Sequence, residues 1–415
     1  MKTLFLTNEY PPTIYGGAGV HVDYLSRELA KLMEVEVRCF GSSARETRLQ
    51  SSALCATAYG ALGGNYLAPK YLHGVFSALQ RCLDWNSDGI DADVVHLHTW
   101  YTHFGGILAK LNYGVPLVLT VHSLEPLRPW KREQLHGGYD FSCWVERTAI
   151  GMADAVVAVS RDTKADVLQN FDVPESKVHV IHNGIDLQEF QKVQPGDVLE
   201  RYGIDGRKPF VLFVGRITRQ KGILHLARAI RHMTRDFQVV LCAGAPDTPE
   251  IAAEMKTEVE SASEIHGSVV WVEQMVPKED LIRLYSLAEV FCCPSVYEPF
   301  GIINLEAMAC HTPVVASAVG GIKEVVLHEE TGFLVPLALR PGTFEPEDPE
   351  AFERDLASRV NQLMANPSLR ERMARAGRHR VEASFSWGAI ASRTLALYEE
   401  VVDAHRKGTR GGLGR

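Results

Sequence analysis

The sequence has no long apolar run and no surplus of positive charge. No segment approaches the roughly 18 consecutive apolar residues that a membrane helix needs, and the apolar run near the N-terminus, Leu4 to Leu6, is too short for a signal peptide. The 43 lysines and arginines are outnumbered by 51 aspartates and glutamates, which gives a net charge of −8. We therefore expect neither a membrane nor a nucleic acid as a partner, because surfaces that bind nucleic acids are basic.

Cysteine is also sparse. The 415 residues include eight cysteines, and no two of them form a CxxC pair. Secreted domains held by disulfides are much denser in cysteine, and zinc sites commonly use paired cysteines. We therefore expect reduced, structural thiols and a cytoplasmic protein. No internal repeat of 20–50 residues is present, which excludes a solenoid.

Short β-branched runs alternate with longer amphipathic stretches along the chain. Candidate strands in the first half are Thr3–Thr7, Val35–Phe40, Val94–Leu97, Leu117–Val121, Ala155–Val159 and Val178–Ile181. Those in the second half are Phe210–Val214, Gln238–Cys242, Val269–Val272, Val290–Cys292, Val314–Ser317 and Gly332–Val335. This alternation predicts an α/β protein with two Rossmann-like, doubly wound domains facing across a cleft. Ligands in such sheets bind at the carboxyl ends of the strands.

The boundary between the two domains is expected where turn residues accumulate. Asn183–Gly184, Pro195–Gly196 and Gly206 lie in a stretch without a long apolar stripe. We therefore predict an N-terminal domain over residues 1–190, a linker over 191–207 and a C-terminal domain over 208–387. A C-terminal helix over about 388–405 is expected to rejoin the first domain.

A pair of cations follows the first strand of the second half. Arg216 and Lys221 are five residues apart in the loop that leads to the next helix, with Gly215 and Gly222 beside them. A guanidinium fork and an ammonium suit the oxygens of a diphosphate. The alternative is a solvated basic loop. A Walker A motif is excluded, because Lys221 is followed by glycine and not by serine or threonine.

Two glutamates lie around the start of a later helix. Glu298 precedes Gly301 in the loop after strand Val290–Cys292, and Glu306 falls inside the apolar helix that follows. A helix N-terminus offers free N–H groups to phosphate oxygens. Carboxylates beside such a site would repel phosphate, so the hydroxyl groups of a sugar and a ribose are better partners. The alternative is one glutamate that interacts with the helix dipole and one that is unrelated.

The first strand of the chain is followed by a glycine-rich loop. Gly16 and Gly17 resemble part of a dinucleotide turn, but Val22 replaces the third glycine of that fingerprint and Pro11–Pro12 lengthen the loop. We therefore do not expect NAD. The loop can still approach an anionic or sugar ligand closely.

Histidines cluster near the ends of two predicted strands. His122 directly follows strand Leu117–Val121, where a side chain reaches the ligand edge of the sheet; the alternative is a structural, hydrogen-bonded histidine. His96, His98 and His103 could suggest a metal, but no carboxylate or third ligand has a fitting spacing. We expect no metal.

Two further charged segments are ambiguous or excluded. Asp91 and Asp93 look like the DxD motif of metal-dependent sugar transferases, but they precede a strand and so lie at the wrong edge of the sheet. Arg128, Lys131 and Arg132 form a basic loop after His122. This loop either binds an anionic acceptor or is a solvated surface turn.

Four motifs in this order resemble the retaining glycosyltransferases of the GT-B type. They are YGGAGVHV near the N-terminus, NGID at Asn183–Asp186, the Arg216/Lys221 loop and PSVYEPFGIINLEAMAC around Glu298. The similarity is closest to bacterial glycogen synthases. The opening NEYPPTIYGGAGVHVDYL and the block VHSLEPLRPWKREQLHGGY look more like the short actinobacterial branch, whose members use ADP-glucose and include α-maltose-1-phosphate synthases.

This resemblance implies roles for the candidate residues. Arg216 and Lys221 would hold the donor diphosphate and stabilise the departing ADP, with Glu298 near the transferred glucose and Glu306 on the ribose. The resemblance further implies that Phe300, Gly301 and Ile302 make backbone contacts to phosphate or sugar. It also implies that Gly16 and Gly17 form a glycine loop beside the diphosphate and that His122 lies beside the glucose.

The resemblance implies a retaining glucosyltransferase that needs no cofactor or metal. Its acceptor would be glucose 1-phosphate, giving maltose 1-phosphate, or an α-glucan chain end, and His98, Trp100 and the basic loop are acceptor candidates. One departure weakens glycogen as acceptor: many glycogen synthases have Asp-Trp-His where this chain has His98–Thr99–Trp100. Alternatives are a UDP- or GDP-sugar donor, or a sugar-nucleotide 2-epimerase. A homo-oligomer stays open, as does the choice between same-face attack and double displacement.

Overall fold

The computed structural model describes residues 1–42, 45–61, 67–340 and 342–412, and it divides the chain into two compact units. The first unit contains Met1–Asn183 together with the chain from Trp387 onward, and the second contains Gly184–Ser386. Each unit is an α/β sandwich with its own sheet, as the alternation of strands and helices predicts. The predicted fold class, two Rossmann-like α/β domains, is confirmed.

The first unit is built on an eight-stranded sheet in the order β3-β4-β2-β1-β5-β6-β7-β8. Its strands are β1 (Lys2–Thr7), β2 (Glu34–Phe40), β3 (Glu46–Gln50), β4 (Leu54–Tyr59), β5 (Val94–His98), β6 (Leu117–Val121), β7 (Ala155–Ala158) and β8 (Val178–Val180). All neighbouring pairs are parallel except β3 and β4. The strand order reverses between β1 and β5, and ligands bind at such a switch point.

Helices cover both faces of this sheet. They are α1 (Gly17–Leu29), α2 (His73–Ser87), α3 (Trp100–Tyr113), α4 (Lys131–Leu135), α5 (Gly137–Met152), α6 (Arg161–Asn170) and, from the C-terminal segment, α15 (Trp387–Gly412). Apolar side chains of α2, α3, α5 and α6 form one core with the sheet, and those of α1 and α15 form the other. Trp387 begins α15 and stacks on Tyr24 of α1, with ring centroids 5.8 Å apart. The C-terminal helix is therefore an integral part of the first unit.

The second unit contains a six-stranded, fully parallel sheet in the order β11-β10-β9-β12-β13-β14. Its strands are β9 (Phe210–Arg216), β10 (Gln238–Gly244), β11 (Val269–Val272), β12 (Val290–Cys293), β13 (Val314–Ser317) and β14 (Gly332–Val335). Its helices are α7 (Val198–Arg201), α8 (Ile223–Ala229), α9 (Pro249–His266), α10 (Lys278–Leu287), α11 (Ile302–Ala309), α12 (Ile322–Val325), α13 (Pro349–Met364) and α14 (Pro367–Ser384). The strand order reverses between β9 and β12. The loop that contains Lys221 (the cation loop) follows β9, and the loop that contains Glu298 (the Glu298 loop) follows β12.

Residues 191–207, which the turn signals mark as a linker, are packed into the second unit. Val198 and Ile204 are buried, and the side chains of Arg201 and Tyr202 both donate to Asp280 of α10. The observed division therefore falls earlier than the predicted one, after Asn183, because this turn-rich stretch has its own apolar anchors. Local turn signals do not reveal such anchors.

The Asp91–Asp93 pair lies just before β5, at the start of that strand. Asp93 accepts the backbone N–H of Lys2 at the beginning of β1, so the Asp91–Asp93 pair lies at the amino edge of the sheet, away from the ligand edge, as expected. Strands β3 and β4 were not predicted. Throughout the described ranges, no helix is long and apolar enough to cross a membrane.

Candidate active site

The cation loop of the second unit is fixed by a tight backbone approach. After β9 ends at Arg216, the Thr218 side chain accepts the backbone N–H of Lys221 and caps a short 3-10 turn. Gly222 then adopts φ 62°, and a Cβ at this position would lie 1.9 Å from the carbonyl oxygen of Pro294. Glycine is needed here both for the left-handed conformation and for the close approach. This contact joins the cation loop to the loop that follows β12.

The joined loops place Lys221 on Glu298. The Lys221 Nζ lies 2.6 Å from the Glu298 Oε2, and the Ser295 hydroxyl donates to the same oxygen at 3.1 Å. The Glu298 side chain is only 9% exposed, which limits screening of the pair by water. The sequence predicts both residues as site residues, and the structure brings them into direct contact.

Arg216 also has a carboxylate neighbour. Its Nη1 lies 2.9 Å from Oδ1 of Asp247, which follows β10, the strand next to β9. Sequence reasoning missed Asp247. The signal that could have found it is its place: polar residues just after neighbouring parallel strands meet at one edge of the sheet. Arg216 and Lys221 therefore each have a carboxylate that holds the side chain in place.

Helix α11 begins beside Glu298. Gly301 precedes its first residue, Ile302, with φ 93°, and the first N–H groups of a helix have no partner within the helix. Gly320, after β13, holds this loop from the other side, because a Cβ there would lie 1.9 Å from the Glu298 carbonyl oxygen. Phe300 is buried in the same loop. Gly320 was not predicted, although its position directly after a strand marks it.

Glu306 lies inside α11, and its hydrogen-bond partner differs from that of Glu298. Its Oε2 accepts the hydroxyl of Tyr285 at 3.0 Å. Burial raises the pKa of Glu306 to about 7, and the Tyr285 hydrogen bond opposes this shift. The side chain is therefore poised between the carboxylate and the carboxylic acid near neutral pH.

The glycine loop of the first unit is occupied by a carboxylate. Glu9 Oε2 accepts the backbone N–H groups of Tyr15 and Gly16 at 2.7 and 2.8 Å, and this oxygen lies 2.7 Å from the Cβ that a side chain at Gly19 would carry. Gly17 is the first residue of α1. An anion that used the Gly16 N–H would have to displace Glu9. The sequence analysis did not identify Glu9.

His122 is one of three histidines that meet at the carboxyl edge of the first sheet. His98 ends β5, His122 follows β6, and the His98 Nδ1 lies 3.0 Å from the His122 Nε2. Burial lowers the pKa of both histidines well below the ordinary value. The third member is His21 of α1, whose ring centroid is 4.7 Å from that of His122. His122 is thus a neutral hydrogen-bonding group and carries no positive charge for a phosphate.

The other two histidines that were considered as metal ligands, His96 and His103, are not members of this group of three. Both ring nitrogens of His96 are bonded, to the Tyr398 hydroxyl at 2.5 Å and to the Thr120 hydroxyl at 2.7 Å, so His96 is structural. His103 is buried in α3. Trp100 begins α3 and is also buried, stacked on Tyr101. The HxH metal hypothesis therefore does not describe how these histidines are grouped.

The basic loop contains one buried cation. Lys131 Nζ lies 2.8 Å from Oε1 of Glu125, and both side chains are at most 10% exposed. Arg128 approaches the same carboxylate at 3.8 Å, whereas Arg132 pairs with exposed Asp140. A solvated surface turn is therefore the wrong description of Lys131. Its partner is an internal carboxylate, which sequence spacing did not indicate.

This difference predicts unequal effects of two substitutions. Lys131→Met leaves the Glu125 charge buried without its partner, and we expect the free energy of unfolding to fall by about 3 kcal/mol. Arg132→Ala, the control, removes an exposed pair and should leave stability unchanged. Urea unfolding followed by tryptophan fluorescence reports on this unit, because it contains five of the six tryptophans. Equal stability of the two variants would contradict the assignment.

The comparisons with known proteins identify the family. The family model described as Glycosyltransferase Family 4 matches residues 15–189, and that described as Glycosyl transferases group 1 matches residues 197–380. An α-maltose-1-phosphate synthase from Mycolicibacterium smegmatis is 47% identical over 405 residues, which cover 97% of this chain and 100% of the relative. The chain belongs to the GT-B glycosyltransferases.

Two further relatives agree with this assignment. An α-maltose-1-phosphate synthase from Mycobacterium tuberculosis is 44% identical to this chain, again over 97% of the chain and 100% of the relative. The solved structure of sucrose-phosphate synthase from Thermosynechococcus elongatus matches with a TM-score of 0.79 and 25% identity, covering 97% of this chain and 100% of the other. The resemblance noted from the sequence motifs is thereby confirmed.

Proposed function

We propose that this glycosyltransferase transfers glucose from ADP-glucose to glucose 1-phosphate and so forms maltose 1-phosphate, a step in α-glucan synthesis. The proposal is supported by the two α-maltose-1-phosphate synthases, which match over their whole length. An α-glucan chain end is the second candidate acceptor. The observation that carries the donor part is the pairing of Arg216 and Lys221 with carboxylates at one edge of the second sheet.

In this proposal the cations stabilise the leaving diphosphate. The bond between the glucosyl C1 and the ADP oxygen breaks, a new bond forms between C1 and an acceptor hydroxyl oxygen, and the hydroxyl proton passes to the leaving diphosphate. Because the growing negative charge lies on ADP, two fixed cations and the α11 N-terminus supply what the departure requires. Attack on the face from which ADP leaves would retain the configuration at C1. No metal or other cofactor enters this step.

Glu298 has two successive roles in this scheme. Before the donor binds, its carboxylate holds the Lys221 ammonium at 2.6 Å. A diphosphate carries more negative charge and competes for the same ammonium, because like charges around one cation repel. Glu298 is then released from part of its ion pair and accepts hydroxyl groups of the transferred glucose. A carboxylate that directly contacted the diphosphate would oppose binding.

His122 is proposed to contact the glucose as a neutral imidazole. Its low pKa, caused by burial, leaves the ring without a positive charge that would attract phosphate. A neutral ring can donate one hydrogen bond and accept another, which suits a sugar hydroxyl. Arg128 and Arg132 remain candidates for the acceptor, whereas His98 and Trp100 are buried and have no surface to offer it. Lys131 could act on the acceptor only while it keeps its internal ion pair with Glu125.

Glu306 predicts how donor binding depends on pH. We propose that its carboxylate accepts the ribose hydroxyls, which requires the ionised form. Because the pKa of Glu306 is raised to about 7, the affinity for ADP-glucose should fall by about tenfold as the pH falls from about 8 to about 6. Glu306→Gln should remove most of this dependence. Calorimetric titration of both proteins tests this, and parallel slopes would contradict the role of Glu306.

Product analysis tests the proposed reaction. The protein is incubated with ADP-glucose, UDP-glucose or GDP-glucose, each with glucose 1-phosphate or with glycogen, and the products are identified by mass and by anomeric coupling in NMR spectra. Maltose 1-phosphate with an α linkage from ADP-glucose is the expected result. Elongated glycogen without maltose 1-phosphate would show that the acceptor is an α-glucan chain end. Turnover with only UDP-glucose or GDP-glucose would show that the proposed donor is wrong. A nucleotide-dependent 2-epimer with no second sugar would overturn the transfer reaction itself.

A further inference from the structure

Three histidines from separate elements of the first unit converge at the carboxyl edge of its sheet. They are His21 on α1, His98 at the end of β5 and His122 after β6, and one ring nitrogen of each lies within 4.8 Å of the other two. Their distances along the sequence give no metal-binding motif. The parallel pairing of β1, β5 and β6 brings them together, because His21 lies on the helix that follows β1, His98 ends β5 and His122 follows β6.

The ring nitrogens of this histidine cluster are incompletely paired. His98 Nδ1 and His122 Nε2 are 3.0 Å apart, so a single hydrogen bond can join them. Within the described ranges, however, the Nε2 atom of His21 is buried without a hydrogen-bond partner. An unpaired polar atom in the protein interior is costly, and it therefore calls for an explanation. A ligand that accepts nitrogen lone pairs supplies one.

The surroundings of His21 have the form found around metal-bound histidines. Its Nδ1 lies 2.6 Å from the Oδ1 of Asn183, which accepts the ring N–H and leaves the lone pair on Nε2. Histidine ligands usually donate their other ring nitrogen to an oxygen in this way, which fixes the tautomer and the orientation. Asn183 thus holds His21 with its free nitrogen available.

The distances and the donor type indicate the class of ion. Two nitrogens of a tetrahedral zinc site, each about 2.0–2.1 Å from the ion, lie roughly 3.3 Å apart, close to the 3.0 Å between His98 and His122. Three neutral imidazoles without a carboxylate suit zinc and its neighbours better than magnesium or calcium, which prefer oxygen. His122 is only partly buried, so the cluster has one side open to entry.

We propose that His21, His98 and His122 bind one divalent transition-metal ion of the zinc type, and that the bound ion inhibits glycosyl transfer. Binding follows from the cluster alone. Inhibition rests on the proposed function as well, because the ion would occupy one ring nitrogen of His122, the side chain that is assigned to the glucose. The ion is an inhibitor in this scheme and takes no part in the reaction.

Cobalt provides a direct test of the binding site. The metal-free full chain is titrated with Co²⁺, and the visible absorption bands of tetrahedral cobalt are recorded and then displaced by Zn²⁺. We expect one equivalent to bind, and His21→Gln, His98→Gln and His122→Gln each to weaken binding by about tenfold or more. His103→Gln is the matched control, because His103 is equally buried in the same unit but lies outside the cluster. It should bind cobalt like the unmodified chain.

Several results would overturn the site. Absence of one-equivalent binding would do so, as would binding that survives His21→Gln and His98→Gln, or a thiolate absorption band that places the ion on cysteine. His21 and His98 are in the core, so the folding of their variants is checked by circular dichroism. If both unfold, partly exposed His122→Gln decides the question, since its thermal stability should no longer rise with Zn²⁺.

The inhibitory part has its own readout. With maltose 1-phosphate formation as the assay, equimolar Zn²⁺ should lower the rate, and EDTA should restore it. Stoichiometric binding without inhibition would refute only this part. An absence of any transfer activity would refute the proposed function and leave the cobalt titration as the measure of the site.

Discussion

Lys221→Ala is expected to lower kcat by about a hundredfold or more. A preorganised donor aimed at developing charge contributes roughly 2.7–4 kcal/mol to transition-state stability, and Lys221 is fixed by its turn and by Glu298 before the substrate arrives. Steady-state kinetics with ADP-glucose and glucose 1-phosphate measure the effect. Thermal unfolding is compared in parallel, because the substitution also leaves Glu298 without its cation.

Arg219→Ala is the matched control for this prediction. Arg219 lies in the same 3-10 turn, but its guanidinium is 41% exposed and pairs with Glu254 at 3.1 Å. Loss of an exposed cation of this kind should change kcat by no more than about twofold. If Lys221→Ala keeps kcat within about threefold of the unmodified chain, the proposed stabilisation of the leaving group is wrong.

The second large effect is expected for Gly222→Ala. The added Cβ would lie 1.9 Å from the Pro294 carbonyl oxygen, and φ 62° is unfavourable for alanine. Overpacking typically costs about 1–3 kcal/mol and a left-handed residue about 1–2 kcal/mol more, so we expect a loss of about 4 kcal/mol in the free energy of unfolding. Since the same contact joins the cation loop to the Glu298 loop, the rate of glucosyl transfer from ADP-glucose should fall to background.

Gly267→Ala separates the steric effect from the conformational one. Gly267 follows α9 with φ 77°, but a Cβ at this position would meet no atom of the described residues within 4 Å. We expect this control to cost about 1 kcal/mol, because alanine is disfavoured in the left-handed conformation, and to leave transfer unchanged. Urea unfolding followed by circular dichroism measures both variants. Similar losses for the two glycines would show that the approach to Pro294 has no energetic importance.

The sequence predicted the features that are determined locally. Strands β1, β5, β6 and β9 to β14 are short β-branched runs, and the residues directly after them can be placed at a sheet edge from the parallel topology alone. Arg216, Glu298 and His122 were placed at a sheet edge in this way, and the structure has them there. The C-terminal helix was expected to rejoin the first domain, and Trp387 does begin a helix of the first unit.

Features that depend on distant partners could not be predicted. Asp247 is 31 residues from Arg216, and His21 is 101 residues from His122, so neither pair produces a spacing signal. The Lys131–Glu125 pair lies within six residues, yet its burial depends on how α4 and α5 pack around it. Residues 191–207 were predicted as a linker because turn residues can be recognised locally, whereas the burial of apolar anchors such as Val198 cannot.

A crystal structure of the ADP complex tests the central claim most directly. We expect the diphosphate oxygens to lie within hydrogen-bonding distance of the Arg216 guanidinium and the Lys221 ammonium, with Glu298 drawn away from the 2.6 Å contact that it makes with Lys221. A diphosphate bound away from both cations, with the Lys221–Glu298 contact unchanged, would contradict it.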